Sequence, residues 1–152
     1  MRRVAITLVV VLVSLVSINV ARAGQQDLDR LSYAQLDRAA QKEIARGGIY
    51  GIGWGAASPW LKSICYEMVE RAFTPYGNQR WATYVVNRES GCNPGAVNTT
   101  YSSWSQRARC IAQLIPYYHR WVDYGKCSTN MRYSIAVFVR LSKGGNSRGP
   151  WG

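Results

Sequence analysis

A single glutamate near the end of an apolar segment is the residue of this sequence best placed to do chemistry. Ala82, Val85 and Val86 precede Glu89 by seven, four and three positions, so a helix would bring all four to one face. An ionised carboxylate is costly to bury, and such a face therefore favours the protonated acid. A protonated carboxyl can serve as a general acid toward a glycosidic oxygen. The alternative is a surface glutamate at a frayed helix end.

The distribution of the other acidic residues restricts that chemistry. The chain has eight acidic residues, and of the seven other than Glu89 only Asp123 follows it. Hydrolysis of a glycosidic bond usually requires a second carboxylate, and the polar segment from Cys92 to Ser105 contains none. The sequence therefore favours a mechanism with one carboxylate. Asp123 is either a distant second acid or a surface residue at a helix end.

Two short motifs resemble the lytic transglycosylase branch of the lysozyme-like superfamily. They are Arg-Glu-Ser-Gly-Cys-Asn-Pro, beginning at Arg88, and Ala-Gln-Leu-Ile-Pro, beginning at Ala112. The resemblance extends from about Trp60 to Trp151. It implies an α+β, mainly α, lysozyme-like helical domain with a small β-hairpin flanking the active-site cleft. It also implies that peptidoglycan is cleaved between MurNAc and GlcNAc without hydrolysis, which leaves 1,6-anhydro-MurNAc ends.

The resemblance also assigns roles to individual residues. Glu89 would protonate the leaving oxygen and then take a proton from the muramyl 6-hydroxyl. Ser90 would orient or hydrogen-bond near Glu89, Gln113 would bind the sugar N-acetyl group or a hydroxyl, and Asn98 aligns with a polar residue that follows an Ala-Val pair. Gln113 as a satisfied core amide is the alternative. The family usually has glycine where this chain has Cys110, which suggests that a disulfide replaces a tight backbone approach.

Aromatic residues after Glu89 supply flat apolar surface with a polar tip, which suits stacking on sugar rings. Each of them could instead belong to the core. The candidates for substrate binding are Tyr101, Tyr118 and Tyr133, with Trp104, Tyr117 and Trp121 as further possibilities. His119 has no nearby serine or cysteine with which to form a triad, so we interpret it as a structural or substrate-flanking residue.

The first residues have the pattern of an export signal. Arg2 and Arg3 precede a nearly continuous apolar run from Val4 to Val20, and Ala21-Arg22-Ala23 matches an A-x-A cleavage site. We expect residues 1–23 to be removed as a signal peptide, with an uncleaved membrane anchor as the alternative. The mature protein would be secreted or periplasmic, associated with the cell wall, and not stably inserted in a membrane.

An even number of cysteines in an exported chain favours two disulfides over a metal site. No C-x-x-C pair is present, and the chain has one histidine, so zinc is the weaker interpretation. Three pairings are possible, and the sequence does not choose among them. The four are Cys65, Cys92, Cys110 and Cys127. No metal or other cofactor is expected.

The net charge of +11 favours an anionic partner, with a charge that only keeps the protein soluble as the alternative. Export disfavours nucleic acid, and peptidoglycan glycan strands are the expected partner of a monomeric protein. Two other functions remain open. One is a hydrolytic muramidase that uses water and Asp123, and the other is a catalytically inactive module that binds the cell wall or assists assembly in the envelope.

The periodicity of apolar residues predicts three helices in the first part of the chain, and a boundary between an N-terminal segment and the main domain. Residues 24–58 would form an amphipathic helix from Gln26 to Arg46 and a glycine-rich linker, and residues 59–152 the lysozyme-like domain. Ser58 and Pro59 begin a second helix that reaches about Phe73 and buries Cys65. The helix that carries Glu89 follows, from Gln79 to Glu89 or Ser90.

The remaining chain is predicted to contain two short elements and a last helix. Asn98 to Ser105 has the composition of a small hairpin or a β-like loop. Pro116 opens a turn from Tyr117 to Tyr124, which Gly125 breaks. Asn130 to Ser142 forms the last helix, with Ile135 and Phe138 among the residues on its buried side.

Overall fold

The computed structural model describes residues 27–47 and 57–152. The predicted signal peptide, its cleavage site and most of the glycine-rich linker lie outside the described residues. Residues 27–30 form a helical turn. Ser32–Gly152 forms one compact unit. Within its described part, the α-helices are α1 (Tyr33–Ala45), α2 (Pro59–Phe73), α3 (Gln79–Ser90), α4 (Tyr124–Thr129) and α5 (Met131–Ser142).

Helix α1 begins later than the predicted start at Gln26, because Ser32 caps it. The Ser32 hydroxyl accepts a hydrogen bond from the backbone N–H of Gln35, and the Gln35 side chain accepts one from the N–H of Ser32. This reciprocal pair satisfies two N–H groups at the helix start. Leu36 and Ala40 are the buried residues of α1, which packs against α2 and α5.

Helices α2 and α3 have nearly the predicted bounds. The Ser58 hydroxyl accepts a hydrogen bond from the N–H of Leu61 at 3.1 Å, and Pro59 is the first helical residue. Cys65 is fully buried, as its position on the apolar stripe of α2 predicts. Helix α3 ends at Gly91, whose φ of 58° lies in the left-handed region that glycine adopts at low cost.

The predicted break at Gly125 is wrong, because Gly125 lies within α4. Asp123 caps this helix, and its carboxylate accepts a hydrogen bond from the N–H of Lys126 at 2.9 Å. An aspartate cap is favourable enough to begin a short helix ahead of a glycine. Asn130 caps α5 in the same way, so the last helix begins one residue after its predicted start.

The mainly helical class is confirmed, whereas the predicted hairpin is not. Between α3 and α4, which is described throughout, the backbone forms two isolated antiparallel bridges, Val97 to Arg109 and Arg109 to Leu114. The segment from Asn98 to Ser105 instead contains a turn, in which the Asn98 side chain accepts from the N–H of Thr100. The 3-10 helix Trp104–Gln106 follows. An asparagine that bonds to its own backbone favours such turns over a strand ladder.

Four aromatic side chains join α2, α3, α5 and the C-terminus. The ring of Phe138 lies 5.0 Å from that of Phe73, 5.6 Å from that of Trp81 and 5.2 Å from that of Trp151. The indole N–H of Trp151 donates to the carbonyl of Ala112 at 2.9 Å. The end of the chain therefore packs beside the loop that contains Gln113.

Gly144, which follows α5, lies close to the ring of Tyr76. Gly77 and Gly144 share a φ of 68°, but a Cβ on Gly144 would meet the Tyr76 ring at 2.3 Å, whereas one on Gly77 has nothing within 4 Å. Gly77→Ala should cost about 1 kcal/mol through its backbone conformation. Gly144→Ala should cost about 1–3 kcal/mol more through overpacking. Urea unfolding measures both, and equal costs would show that the Tyr76 ring moves aside freely.

Candidate functional site

Glu89 lies on the last turn of α3 and is paired with its neighbour. The Arg88 guanidinium donates two hydrogen bonds to the carboxylate, from Nη2 at 2.7 Å and from Nε at 3.0 Å. The Glu89 side chain is 22% exposed. Its surroundings thus differ from the purely apolar ones predicted from helical periodicity, because the adjacent arginine folds back onto it.

Arg88 also connects this pair to the C-terminus. Its Nη2 donates to the carbonyl of Trp151 at 2.9 Å, and its guanidinium lies 5.4 Å from the centre of the Tyr84 ring. The hydrogen bond to Glu89 is the main cause that raises the pKa of Arg88 above its usual value. The guanidinium therefore remains charged and holds the carboxylate in place in the free protein.

Ser90, the last residue of α3, has a buried polar side chain. Its hydroxyl lies 2.8 Å from the carbonyl of Ile111 and 3.1 Å from that of Val86, and can donate to either. The backbone N–H of the same Ile111 donates to the hydroxyl of Ser134 in α5 at 3.3 Å. Ser90 therefore attaches the Glu89 helix to the loop before Gln113, and its hydroxyl bonds to backbone carbonyls.

The loop from Arg109 to Ile115 has two residues in the left-handed region, Cys110 with a φ of 67° and Gln113 with a φ of 51°. Arg109 and Leu114 close the loop through two backbone hydrogen bonds, at 3.0 and 2.7 Å. Cys110 forms a disulfide with Cys127 of α4. A cysteine thus adopts the conformation that glycine favours, at the position where the resemblance leads one to expect glycine.

The Gln113 side chain supports this loop. Its Nε2 donates to the carbonyl of Ala96 at 3.2 Å and to that of Cys110 at 3.1 Å. Both amide hydrogens are therefore used within the protein, while the side-chain oxygen accepts no hydrogen bond from the described residues. The residue combines the structural role of a core amide with one acceptor left for a ligand.

Two cavities beside this loop share a wall and form what we call the tyrosine groove. The first, of about 160 Å³, is lined by Gln113, Leu114, Ile115, Tyr118, His119, Pro150 and Trp151. The second, of about 210 Å³, is lined by Tyr101, Gln106, Ile115, Tyr117 and Tyr118. Ile115 and Tyr118 belong to both. Gln113 therefore lies toward one end of the groove and Tyr101 toward the other.

Glu89 does not itself line either cavity. Arg88 makes the connection, since it bonds both to Glu89 and to the carbonyl of Trp151, which lines the groove. Burial lowers the pKa of His119, another lining residue, so the imidazole is neutral at pH 7 and can donate or accept a hydrogen bond.

The structure separates the other predicted residues from this groove. Asn98 pairs with Ala108 through its backbone and lines neither cavity. Tyr133 lines a different cavity, of about 380 Å³, and its hydroxyl accepts from the N–H of Asp123 at 3.0 Å. Of the three predicted tyrosines, the structure brings Tyr101 and Tyr118 together and places Tyr133 elsewhere.

A larger cavity, of about 600 Å³, lies around the start of α3, and none of the predicted site residues lines it. It is lined by Glu70, Thr74, Gly77, Asn78, Gln79, Arg80, Trp81 and Arg148. A catalytic site is defined by the chemistry of its side chains and not by the volume of a cavity.

Sequence reasoning missed the roles of Arg88 and Trp151. Arg88 stands next to Glu89, and an adjacent opposite charge could have signalled the ion pair. The contact of Trp151 is created by packing between distant parts of the chain and leaves no local signal in the sequence.

Residues 27–47 and 57–152 contain no cluster of three or more His, Cys, Asp and Glu side chains that could hold a metal ion. In the same ranges, no helix has the length and apolar character needed to cross a membrane. Comparison with protein-family models, with curated proteins and with solved structures gives no significant match.

Proposed function

We propose that this chain is an exported lytic transglycosylase that cleaves the glycan strands of peptidoglycan, with Glu89 as its single acid and base. The observation that carries the proposal is the hydrogen bond from Ser90 to the carbonyl of Ile111. Through it, the motif around Glu89 and the motif around Gln113 meet in space, although they are more than twenty residues apart. A resemblance based on two sequence motifs gains weight when the fold places them side by side.

The position of Asp123 supports a one-carboxylate reaction over hydrolysis. Asp123 caps α4, where one of its carboxylate oxygens is occupied by the N–H of Lys126. Neither cavity of the tyrosine groove is lined by an aspartate or a glutamate, so none of the described lining residues offers a side-chain carboxylate to activate water or to act as a nucleophile.

The proposed reaction balances without water. The Glu89 carboxyl protonates the glycosidic oxygen, and the bond between that oxygen and muramyl C1 breaks. The resulting carboxylate then removes the proton of the muramyl 6-hydroxyl as its oxygen bonds to C1. Glu89 ends in its starting, protonated form, and the product carries a 1,6-anhydro ring.

The groove offers suitable contacts for such a substrate. The side chains of Tyr101, Tyr117 and Tyr118 are all more than half exposed, so their rings are available for stacking. The free side-chain oxygen of Gln113 can accept a hydrogen bond from a sugar N–H or hydroxyl. Before proton transfer, the bound glycan must displace the Arg88 guanidinium from Glu89, and the carboxylate must take up a proton from solvent. The closed site must then exclude water around the carboxyl.

Product analysis tests this function directly. Isolated peptidoglycan incubated with the protein should release muropeptides one water molecule lighter than hydrolysis products, and borohydride should not reduce their muramyl ends. Reducing ends would identify the protein as a hydrolytic muramidase. Binding to the wall without any release would identify it as an inactive binding or assembly module.

A further inference from the structure

A cavity apart from the tyrosine groove carries charges of both signs. It has a volume of about 380 Å³ and is formed by α1, α4, the residue between α4 and α5, and α5. Its lining residues are Asp37, Lys126, Asn130, Arg132, Tyr133 and Ala136. Charged residues of opposite sign in one small cavity normally pair with each other, and here they do not.

The Asp37 carboxylate lacks a partner in the described chain. Its Oδ1 is buried and makes no hydrogen bond. The two ion pairs found among the described residues, Arg71 with Glu67 and Arg88 with Glu89, do not include it. A partly buried carboxylate without a donor is unfavourable, and a ligand that donates to the carboxylate would lower that cost.

The two cations of the cavity are held by aromatic rings. Lys126 Nζ lies 5.0 Å from the centre of the Tyr133 ring, and the Arg132 guanidinium lies 5.9 Å from that of Tyr33. Such contacts fix the position of a cation and leave its N–H groups able to donate to an anion. Burial raises the pKa of Tyr33, and the opposing effects of Arg132 and Asp37 on it place both charges near the phenol.

We propose that this cavity binds a compact group that carries an ammonium and a carboxylate, as an amino acid does. Asp37 would accept hydrogen bonds from the ammonium, while Lys126 and Arg132 would donate to the carboxylate. Asn130 contributes less, because its side-chain oxygen already accepts from the N–H of Tyr133. The site does not involve Glu89 and does not depend on the proposed cleavage activity.

Four small probes test the chemistry by calorimetric or NMR titration of the full chain. Alanine is a small free amino acid, and Nε-acetyl-lysine presents the same ammonium–carboxylate end on a long acylated side chain. Acetate and ethylammonium each carry one of the two charges. We expect alanine or Nε-acetyl-lysine to bind at least about tenfold more tightly than either single charge. Tighter binding of Nε-acetyl-lysine would indicate a ligand with a long side chain, and tighter binding of alanine a small ligand.

Matched variants locate the binding. Asp37→Asn should weaken alanine binding about tenfold and leave acetate binding unchanged or stronger, because a repelling charge is removed. Asp27→Asn, at an exposed position, should change neither. Arg132→Gln should weaken both alanine and acetate, whereas Arg140→Gln, on the same helix but stacked on Trp121, should weaken neither. Asp37→Asn is thus expected to weaken the binding of alanine but not that of acetate, a difference that loss of folding cannot produce.

The results that overturn the proposal are equally definite. If alanine and Nε-acetyl-lysine bind no better than acetate, the cavity attracts anions through charge alone. Gln41, one helical turn from Asp37, also has a buried side-chain nitrogen without a partner. If the two pair in solution, Asp37→Asn will bind alanine like the wild type, and the proposal fails.

Discussion

Replacement of Glu89 by glutamine should reduce the release of muropeptides from isolated peptidoglycan by at least about 100-fold. General acid–base catalysis contributes on the order of 10² to 10⁴ to such rates. Glutamine keeps the size of the side chain but can neither donate the proton to the leaving oxygen nor remove one from the muramyl hydroxyl. The initial rate of release by the purified variant, compared with the wild type at equal concentration, measures the effect.

The matched control is Asp123→Asn. Asparagine is as good a helix cap as aspartate, so this variant removes a carboxylate while keeping the start of α4. We expect it to retain most of the activity. If Asp123→Asn is as inactive as Glu89→Gln and the wild-type products are reducing, two carboxylates take part and the one-carboxylate mechanism is wrong.

Glu89→Gln also leaves Arg88 without its anion, so its stability must be measured beside its activity. Arg88 retains the carbonyl of Trp151 as an acceptor, and the pair with Glu89 is partly exposed to solvent. Solvent-exposed pairs contribute little to stability. The variant should therefore unfold at nearly the same urea concentration as the wild type, and a loss of activity then reports on chemistry.

Local signals in the sequence predicted the long helices well. Helix α2 begins at its serine cap and proline, and α3 ends at the glycine that follows Ser90, because caps and apolar periodicity act within a few residues. The same type of signal was overlooked at Ser32, whose capping box with Gln35 starts α1 seven residues after the predicted start. At α2, α3 and α5, where the capping or terminating residues were recognised, the boundaries are right to within a residue, whereas the break predicted at Gly125 alone is wrong.

The segment between α3 and α4 could not be predicted in the same way. Its shape depends on contacts between residues far apart in the chain, such as Ser90 with Ile111 and Trp151 with Ala112. The sequence predicted two disulfides but could not choose among the three pairings. The structure pairs Cys65 with Cys92 and Cys110 with Cys127, and each pair joins a helix to the loops around the candidate site.

The structure brings some of the predicted site residues together and separates others. Glu89, Gln113, Tyr101 and Tyr118 lie on or near one groove, whereas Tyr133 faces a separate charged cavity. A single sequence shows which aromatic residues could stack on a sugar. It does not show on which side of the fold a residue of the last helix will lie, since that depends on how α5 packs against α1 and α4.

Loss of the disulfide between Cys110 and Cys127 should have a large effect on stability. In the chain-entropy description, a crosslink spanning 17 residues stabilises the fold by about 3 kcal/mol. The variant Cys110→Ala/Cys127→Ala should lose about that amount in urea unfolding. It should also lose the support of the loop that holds Gln113, so muropeptide release should fall even where the protein remains folded.

The left-handed φ of Cys110 supplies a matched second variant. Alanine at position 110 keeps the backbone cost of that conformation, on the order of 1 kcal/mol, whereas glycine does not. Cys110→Gly/Cys127→Ala should therefore be about 1 kcal/mol more stable than Cys110→Ala/Cys127→Ala, although both lack the same crosslink. Equal stabilities would mean that the loop abandons this conformation once the disulfide is gone. A more stable glycine variant would show that the backbone itself requires the left-handed conformation here and that the disulfide allows a cysteine to occupy it.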